Sequence, residues 1–173
     1  EIFSLAELIE AFDLKDVGTV APIFDLQKLT WMNGEYIRQT QNSKLKTQIA
    51  DFYKDDKNVL NVMNQKNTDK IIELAKTRMK TLAEFRSLVI NKNPELSSDE
   101  KNIAKSLLDN FSAIKNWNKE TILVGMKKVL KENKIKGNVL YKIITGYSSG
   151  LPLPESLEIL GKERALERIK KAF

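Results

Sequence analysis

What most constrains the fold of this chain is the spacing of its apolar residues. They recur three and four positions apart and nowhere alternate with period two. Leu45, Ile49, Phe52 and Tyr53 keep helical spacing, as do Ile71, Leu74, Ala75 and Met79. The longest face is Ile103, Leu107, Leu108, Phe111 and Ile114, and Ser97-Ser98-Asp99-Glu100 caps it. In such a box the Ser hydroxyl and the Glu carboxylate each take one of the backbone N–H groups that an opening helix leaves unpaired. Ser4-Leu5-Ala6-Glu7 and Thr81-Leu82-Ala83-Glu84 repeat the pattern. Asn118 can cap a helix that turns Ile122, Met126, Val129 and Leu130 inward and ends at Gly137. Residues 139–145 read as a buried helix stopped by Gly146, and 147–154 as a Gly/Ser/Pro loop. One or two helices around Gly161 follow. The expectation is an all-α chain, an irregular multi-helix bundle of nine to eleven helices, most of them short.

One run resists this reading. "FDLQKLTWMNGEYIR", residues 24–38, sets the turn dipeptide Asn33-Gly34 inside helix-friendly sequence. A break between two short helices is expected there, with Trp31 and Tyr36 entering one core from two directions. The loop near residues 91–97, with Pro94, is the expected boundary between two helical subdomains.

Composition excludes much chemistry. With no Cys and no His, disulfides, thiol chemistry, the usual zinc sites and every His-based triad are ruled out. Acid pairs such as Asp55-Asp56 lie in a Lys/Asn-rich turn and read as solvated, so no two-carboxylate site is expected. No GxxxxGK[ST] loop occurs. The apolar runs fall far short of a membrane span, and the acidic N-terminus is no signal peptide. A cytoplasmic chain without a membrane partner is expected. It begins at Glu1 rather than Met, which reads as a piece of a longer protein.

Charge is uneven. Residues 1–26 hold six acids and one base, a net of −5, so with +6 overall the remainder carries +11. A basic body suits an anionic partner, nucleic acid above all. Lys127, Lys131 and Lys134, spaced i, i+4, i+7, share one face opposite Ile122, Met126 and Val129. Lys128, Lys136 and Lys142 extend it. This is a phosphate-tracking strip or a solvated helix face. Arg78 and Arg86 are two of few arginines among many lysines, which points to planar, bidentate contacts or to surface ion pairs. Tyr141 and Tyr147 flank Thr145-Gly146 and could stack on unpaired bases, although the neighbours of Tyr141 also suit a core position.

Several stretches resemble one family. "FDLQKLTWMNGEYIR" resembles the segment after the catalytic domain of bacterial-type glutamyl-tRNA synthetases, and "EIFSLAELIEAFDL" resembles the stretch just before it. "RMKTLAEF" at 78–85 is similar to the same family. So is "IITGYSSGLPLPESLEILGKERALERIKKAF", where a TG, a G-P loop and an LGKE followed by arginines recur in order. The likeness runs the length of the chain.

The resemblance implies a stem-contact and linker region over 1–42 and two anticodon-binding helical subdomains over 43–96 and 97–173. Trp31 and Tyr36 would be structural. The family's ATP-site signatures are absent, so this piece would be inactive alone, with no cofactor. The longer enzyme would be a class I aminoacyl-tRNA synthetase that uses ATP with Mg. The implied partner is tRNA-Glu, with tRNA-Gln as a second candidate, bound by a monomer. Arg78 and Arg86 match the helical region of the family's anticodon contacts, and Leu153 matches a position that touches the anticodon. An arginine usually stands four residues before the TG threonine. Here that position is Tyr141. Either Tyr141 stacks in its place, or Lys142 supplies the charge, or base discrimination is altered. The alternative from another class is a helical protein-interaction module with a generic basic surface.

Overall fold

The computed structural model describes residues 2–21 and 23–172. Among these there are eleven α-helices, two short 3-10 turns and no strand. The all-α expectation holds, and the local signals place most helix starts. Ser4 caps α1 (Leu5–Ala11), with Glu7 reaching back to its N–H. Ser97 and Glu100 do the same for α7 (Ser98–Ser112). Asn118 accepts from the Thr121 N–H at 2.9 Å and opens α8 (Lys119–Asn133). In the Thr81 box, Glu84 accepts from the Lys80 and Thr81 N–H groups ahead of the 3-10 turn Leu82–Glu84.

Asn33-Gly34 does not break its helix. α2 (Leu26–Gln39) runs through both residues from an Asp25 N-cap. Gly34 is buried because the backbone of Lys80 passes over it. A Cβ there would stand 3.4 Å from the Lys80 Cα. Asn33 secures the crossing, its Nδ2 donating to the Lys80 carbonyl. Glycine serves close approach here, not a turn. Trp31 and Tyr36 do not enter a core either. They are 47% and 41% exposed, and the Tyr36 hydroxyl donates to the Phe3 carbonyl at 2.6 Å.

Two apolar cores follow. The first is closed by the end of α2 with α3 (Asn42–Phe52), α4 (Lys57–Met63), α5 (Thr68–Lys76) and α6 (Phe85–Val89) around Leu45, Ile49, Ile72 and Phe85. Tyr53 ties it together, its hydroxyl donating to the Ala83 carbonyl at 2.6 Å. Thr68, buried among apolar neighbours, donates to the Gln65 carbonyl at 2.6 Å and so satisfies the turn before α5. The second core joins α7, α8, α9 (Gly137–Thr145), α10 (Leu153–Leu160) and α11 (Lys162–Lys170) around Leu107, Phe111, Ile122 and Ile143. Trp117 stacks edge-on to Phe111 and donates to the Leu157 carbonyl at 2.9 Å.

The end of α8 differs from expectation. Lys134, not a glycine, takes the left-handed position that closes it (φ 52°), and Gly137 is the first residue of α9. Gly146 does stop α9, with φ 78°. Two helices flank Gly161, within the one or two expected. The LGKE motif is structural here: Lys162 Nζ donates to the Ser112 and Ile114 carbonyls, at 2.8 and 2.6 Å, neutralising the negative end of α7.

Polar contacts join the cores. The Lys92 N–H donates to the Thr145 carbonyl at 3.1 Å, and its ammonium lies 4.9 Å from the Tyr147 ring centre. Asn67 Nδ2 donates to the Ile159 carbonyl at 3.3 Å. No helix among the described residues is long and apolar enough to cross a membrane.

Residues 3–36 stand apart. Among those described only Gly34 is buried, while Leu14, Val20, Ile23 and Phe24 are largely exposed. An apolar surface of this extent is unusual on a free-standing domain.

Candidate nucleic-acid interface

Three of the lysines singled out by spacing lie on α8 or just past its end. The buried side of α8 carries Ile122, Met126 and Val129, so the helical period turns Lys127, Lys128 and Lys131 outward. Lys127, Lys131 and Lys134 are exposed, and none has a side-chain partner among the described residues. Lys134 sits past the helix end rather than on its face. Lys128 approaches Glu132 at 3.9 Å, a loose surface pair that contributes little.

The other sites separate. Arg78 follows α5, exposed and without a side-chain partner among the described residues. Arg86 is engaged: its Nε donates to Asp56 Oδ2 at 2.8 Å. That bond, with the Val59 N–H, holds the Asp56 carboxyl below its ordinary range. Lys142 meets both carboxylate oxygens of Glu100 at 2.8 Å. The ammonium and the Ser97 N–H lower the Glu100 pKa. Asp56 and Glu100 are thus structural partners, 30 and 42 residues from the cations they hold.

Tyr141 is half-buried against the second core and lies beside the backbone of Gly150. Leu153 is 2% exposed, the first residue of α10. Its side chain packs into the second core and is not presented to solvent. Tyr147 lies under Lys92.

Sequence reasoning passed over Arg164 and Arg168, which line a cleft between the two cores. Their i, i+4 spacing was a visible signal, but Glu163 and Glu167 beside them made the helix look like an ordinary charged surface. No cluster of His, Cys, Asp or Glu among the described residues could hold a metal ion.

An all-helical body of two cores matches the all-α anticodon-binding region of a class I synthetase. In fold it is similar to the glutamate-tRNA ligase structure from Elizabethkingia meningosepticum, determined in complex with its amino acid. The TM-score is 0.70 at 21% identity, over 99% of this chain and 36% of that one. The glutamate-tRNA synthetase of Elizabethkingia anophelis gives the same values. Residues 35–173 match the family model described as anticodon binding domain, and the chain belongs to that family. It is 35% identical to a glutamate–tRNA ligase of Clostridium botulinum and 37% identical to that of Clostridium tetani, over 98% of its own length. It spans 38% of the length of those relatives. The resemblance expected from the motifs is thereby shown.

Proposed function

We propose that this chain is the tRNA-reading helical part of a glutamate–tRNA ligase. It holds the anticodon loop and so places the acceptor end in an active site carried by the rest of a longer enzyme. ATP with Mg, and glutamate, belong to that other part. The observation carrying this reading is the anticodon-binding family match over residues 35–173. The free lysines of α8 and the free Arg78 supply the chemistry: ammonium groups for phosphates, and a planar donor fork for base edges. Arg86 and Lys142 contribute through the acids they already hold. Tyr141, standing where the family usually has an arginine, offers a ring rather than a charge.

Residues 1–42 act in this reading as the stem-contact and linker region, with 43–96 and 97–173 as the two anticodon-binding subdomains. The exposed apolar surface along residues 3–36 seats the remainder of the enzyme. The chain works as a monomer in the cytoplasm.

The test is binding of this chain to tRNA-Glu, tRNA-Gln and an unrelated tRNA at two salt concentrations. With the three free lysines on phosphates, affinity should fall about twenty- to forty-fold between ~50 and ~200 mM salt. Salt-steep binding that prefers tRNA-Glu, and loses that preference in Arg78→Ala, is the expected result. Equal binding to all three tRNAs would leave a basic helical body without anticodon reading.

A further inference from the structure

α2 is built against local propensity. Asn and Gly are both poor helix formers, and Asn33-Gly34 sets them side by side within a fourteen-residue helix. Of its residues only Gly34 and Ile37 are buried. The first turns, from Leu26 to Trp31, are largely exposed. The angle at which α2 leaves the first core is therefore set chiefly at Ile37 and where Lys80 crosses Gly34.

Lys80 belongs to a strap, residues 77–81, that joins α5 to the 3-10 turn Leu82–Glu84. Its near side is tied to the first core. Met79 is fully buried, and the N–H groups of Arg78 and Met79 both donate to the Ala75 carbonyl at 2.9 Å. Glu84 takes the N–H groups of Lys80 and Thr81. Its far side is tied to α2. The Lys80 carbonyl accepts from Asn33 Nδ2, and a Cβ on Gly34 would stand 3.4 Å from both Lys80 Cα and Cγ. The strap presents Arg78, exposed and without a side-chain partner among the described residues. At the other end, Tyr36 lies one turn beyond Asn33 and donates to the Phe3 carbonyl at 2.6 Å. Phe3, Tyr36, Asn33, Lys80 and Arg78 thus link the exposed apolar surface along residues 3–36 to a free guanidinium. Where a sequence breaks a local rule at such a junction, the residues serve something other than the helix they sit in.

We propose that Asn33 is a positioning residue and that Gly34 supplies its clearance. Together they hold the strap, and Arg78 on it, at one distance and angle from α2. The proposal rests on the tRNA-binding reading above and deepens it. An arginine that reads a base edge must stand in a fixed place relative to whatever holds the other end of the same RNA, and rigid support for its backbone provides this. Asn33 acts through Lys80 and touches no RNA itself.

Two experiments on the 173-residue chain test it. The chain has no cysteine, so a pair can be introduced for labelling. Spin labels at Gln27→Cys in α2 and Gln48→Cys in α3, both exposed positions, report the angle of α2 against the first core by double electron–electron resonance. A single narrow distance distribution is expected with Asn33 and Gly34 in place, and a broader one in Asn33→Ala. Gly34→Leu should shift the centre of the distribution, because the larger side chain displaces Lys80. Asn33→Ala keeps the fold: the helix propensity gained offsets the bond lost, so its unfolding midpoint should stay near that of wild type. A lowered midpoint with unchanged distances would mark a merely structural residue and overturn the proposal. In the second experiment, Asn33→Ala should lose about threefold of the preference for tRNA-Glu over tRNA-Gln, within the roughly tenfold that one net hydrogen bond supplies. Added to Arg78→Ala it should change the preference no further, since the group it positions is gone. Additive losses, or a full preference in Asn33→Ala, would overturn the proposal and leave the tRNA reading standing. No preference in wild type would overturn the anticodon reading and the role of Asn33 with it.

Discussion

Gly146→Ala is the substitution that should most sharply disturb how the two cores meet. Gly146 closes α9 with φ 78°, and the carbonyl of Lys92 packs directly on its Cα. A Cβ would stand 2.6 Å from Lys92 Cγ, 3.0 Å from Lys92 C, and closer still to the Lys92 oxygen. Two of those atoms are backbone, so the linker must move. Moving it breaks the Lys92 N–H to Thr145 bond, worth about 1 kcal/mol, and loosens the Lys92–Tyr147 contact, worth ~0.5–1 kcal/mol. The left-handed backbone adds about 1–2 kcal/mol for any residue with a Cβ. The total is ~2.5–4 kcal/mol. Gly161→Ala shows strain without a clash, in a more restricted backbone region (ψ 154° against 3° at Gly146). It also has a positive φ, 87°, but a Cβ there meets nothing within 4 Å. Its cost is backbone strain alone, about 1–3 kcal/mol. Urea unfolding followed by far-UV circular dichroism compares the two. Gly146→Ala should lose at least ~2.5 kcal/mol, more than left-handed strain alone accounts for, the excess being the share owed to the broken contacts. A loss of ~1–2 kcal/mol or less would refute the reasoning, because left-handed strain alone would then explain it.

Gly34→Ala should raise the unfolding midpoint: the helix gains ~0.8–1 kcal/mol, and the nearest obstacle, Arg38 Nη1 at 3.3 Å, is the end of a flexible side chain. Gly34→Leu should lower it by ~1–3 kcal/mol, because Lys80 backbone blocks a larger side chain, and equal midpoints for the two variants would refute the close-approach assignment. The pair Lys142–Glu100 predicts a pH effect. The folded Glu100 pKa lies below its ordinary 4.5, so its stabilisation is present above that value and lost as pH falls through the lowered one. Between ~pH 5 and ~pH 3, wild type should therefore lose more thermal stability than Lys142→Met, and parallel losses would count against the pairing.

What the sequence disclosed was local. Ser4, Ser97 and Asn118 act on N–H groups three residues away, so their boxes read directly as helix starts. Gly34 misled because a glycine that admits a neighbouring backbone looks the same in sequence as one that turns the chain. The difference lies in Lys80, which is distant in sequence. Lys134 in a left-handed position was hidden for the same reason: a Lys there is held by context, not propensity. The basic face of α8 was legible because a helical period fixes which residues share a side. The engagement of Arg86 by Asp56 and of Lys142 by Glu100 was not, since the partners come from other helices. Leu153 matched a contact position by motif, yet it packs inward because α10 begins with it and its face closes on the second core.

The uncovered apolar surface along residues 3–36 also decides how the chain behaves as a colloid. Copies repel through a net charge of +6 and attract through Leu14, Val20, Ile23 and Phe24. Added salt shortens the reach of the repulsion to about 10 Å at 0.1 M and leaves the apolar attraction intact. The ionic strength that frees bound RNA from the lysines of α8 therefore also drives copies of the chain together. A dilute, low-salt solution, or a partner surface over residues 3–36, keeps them apart.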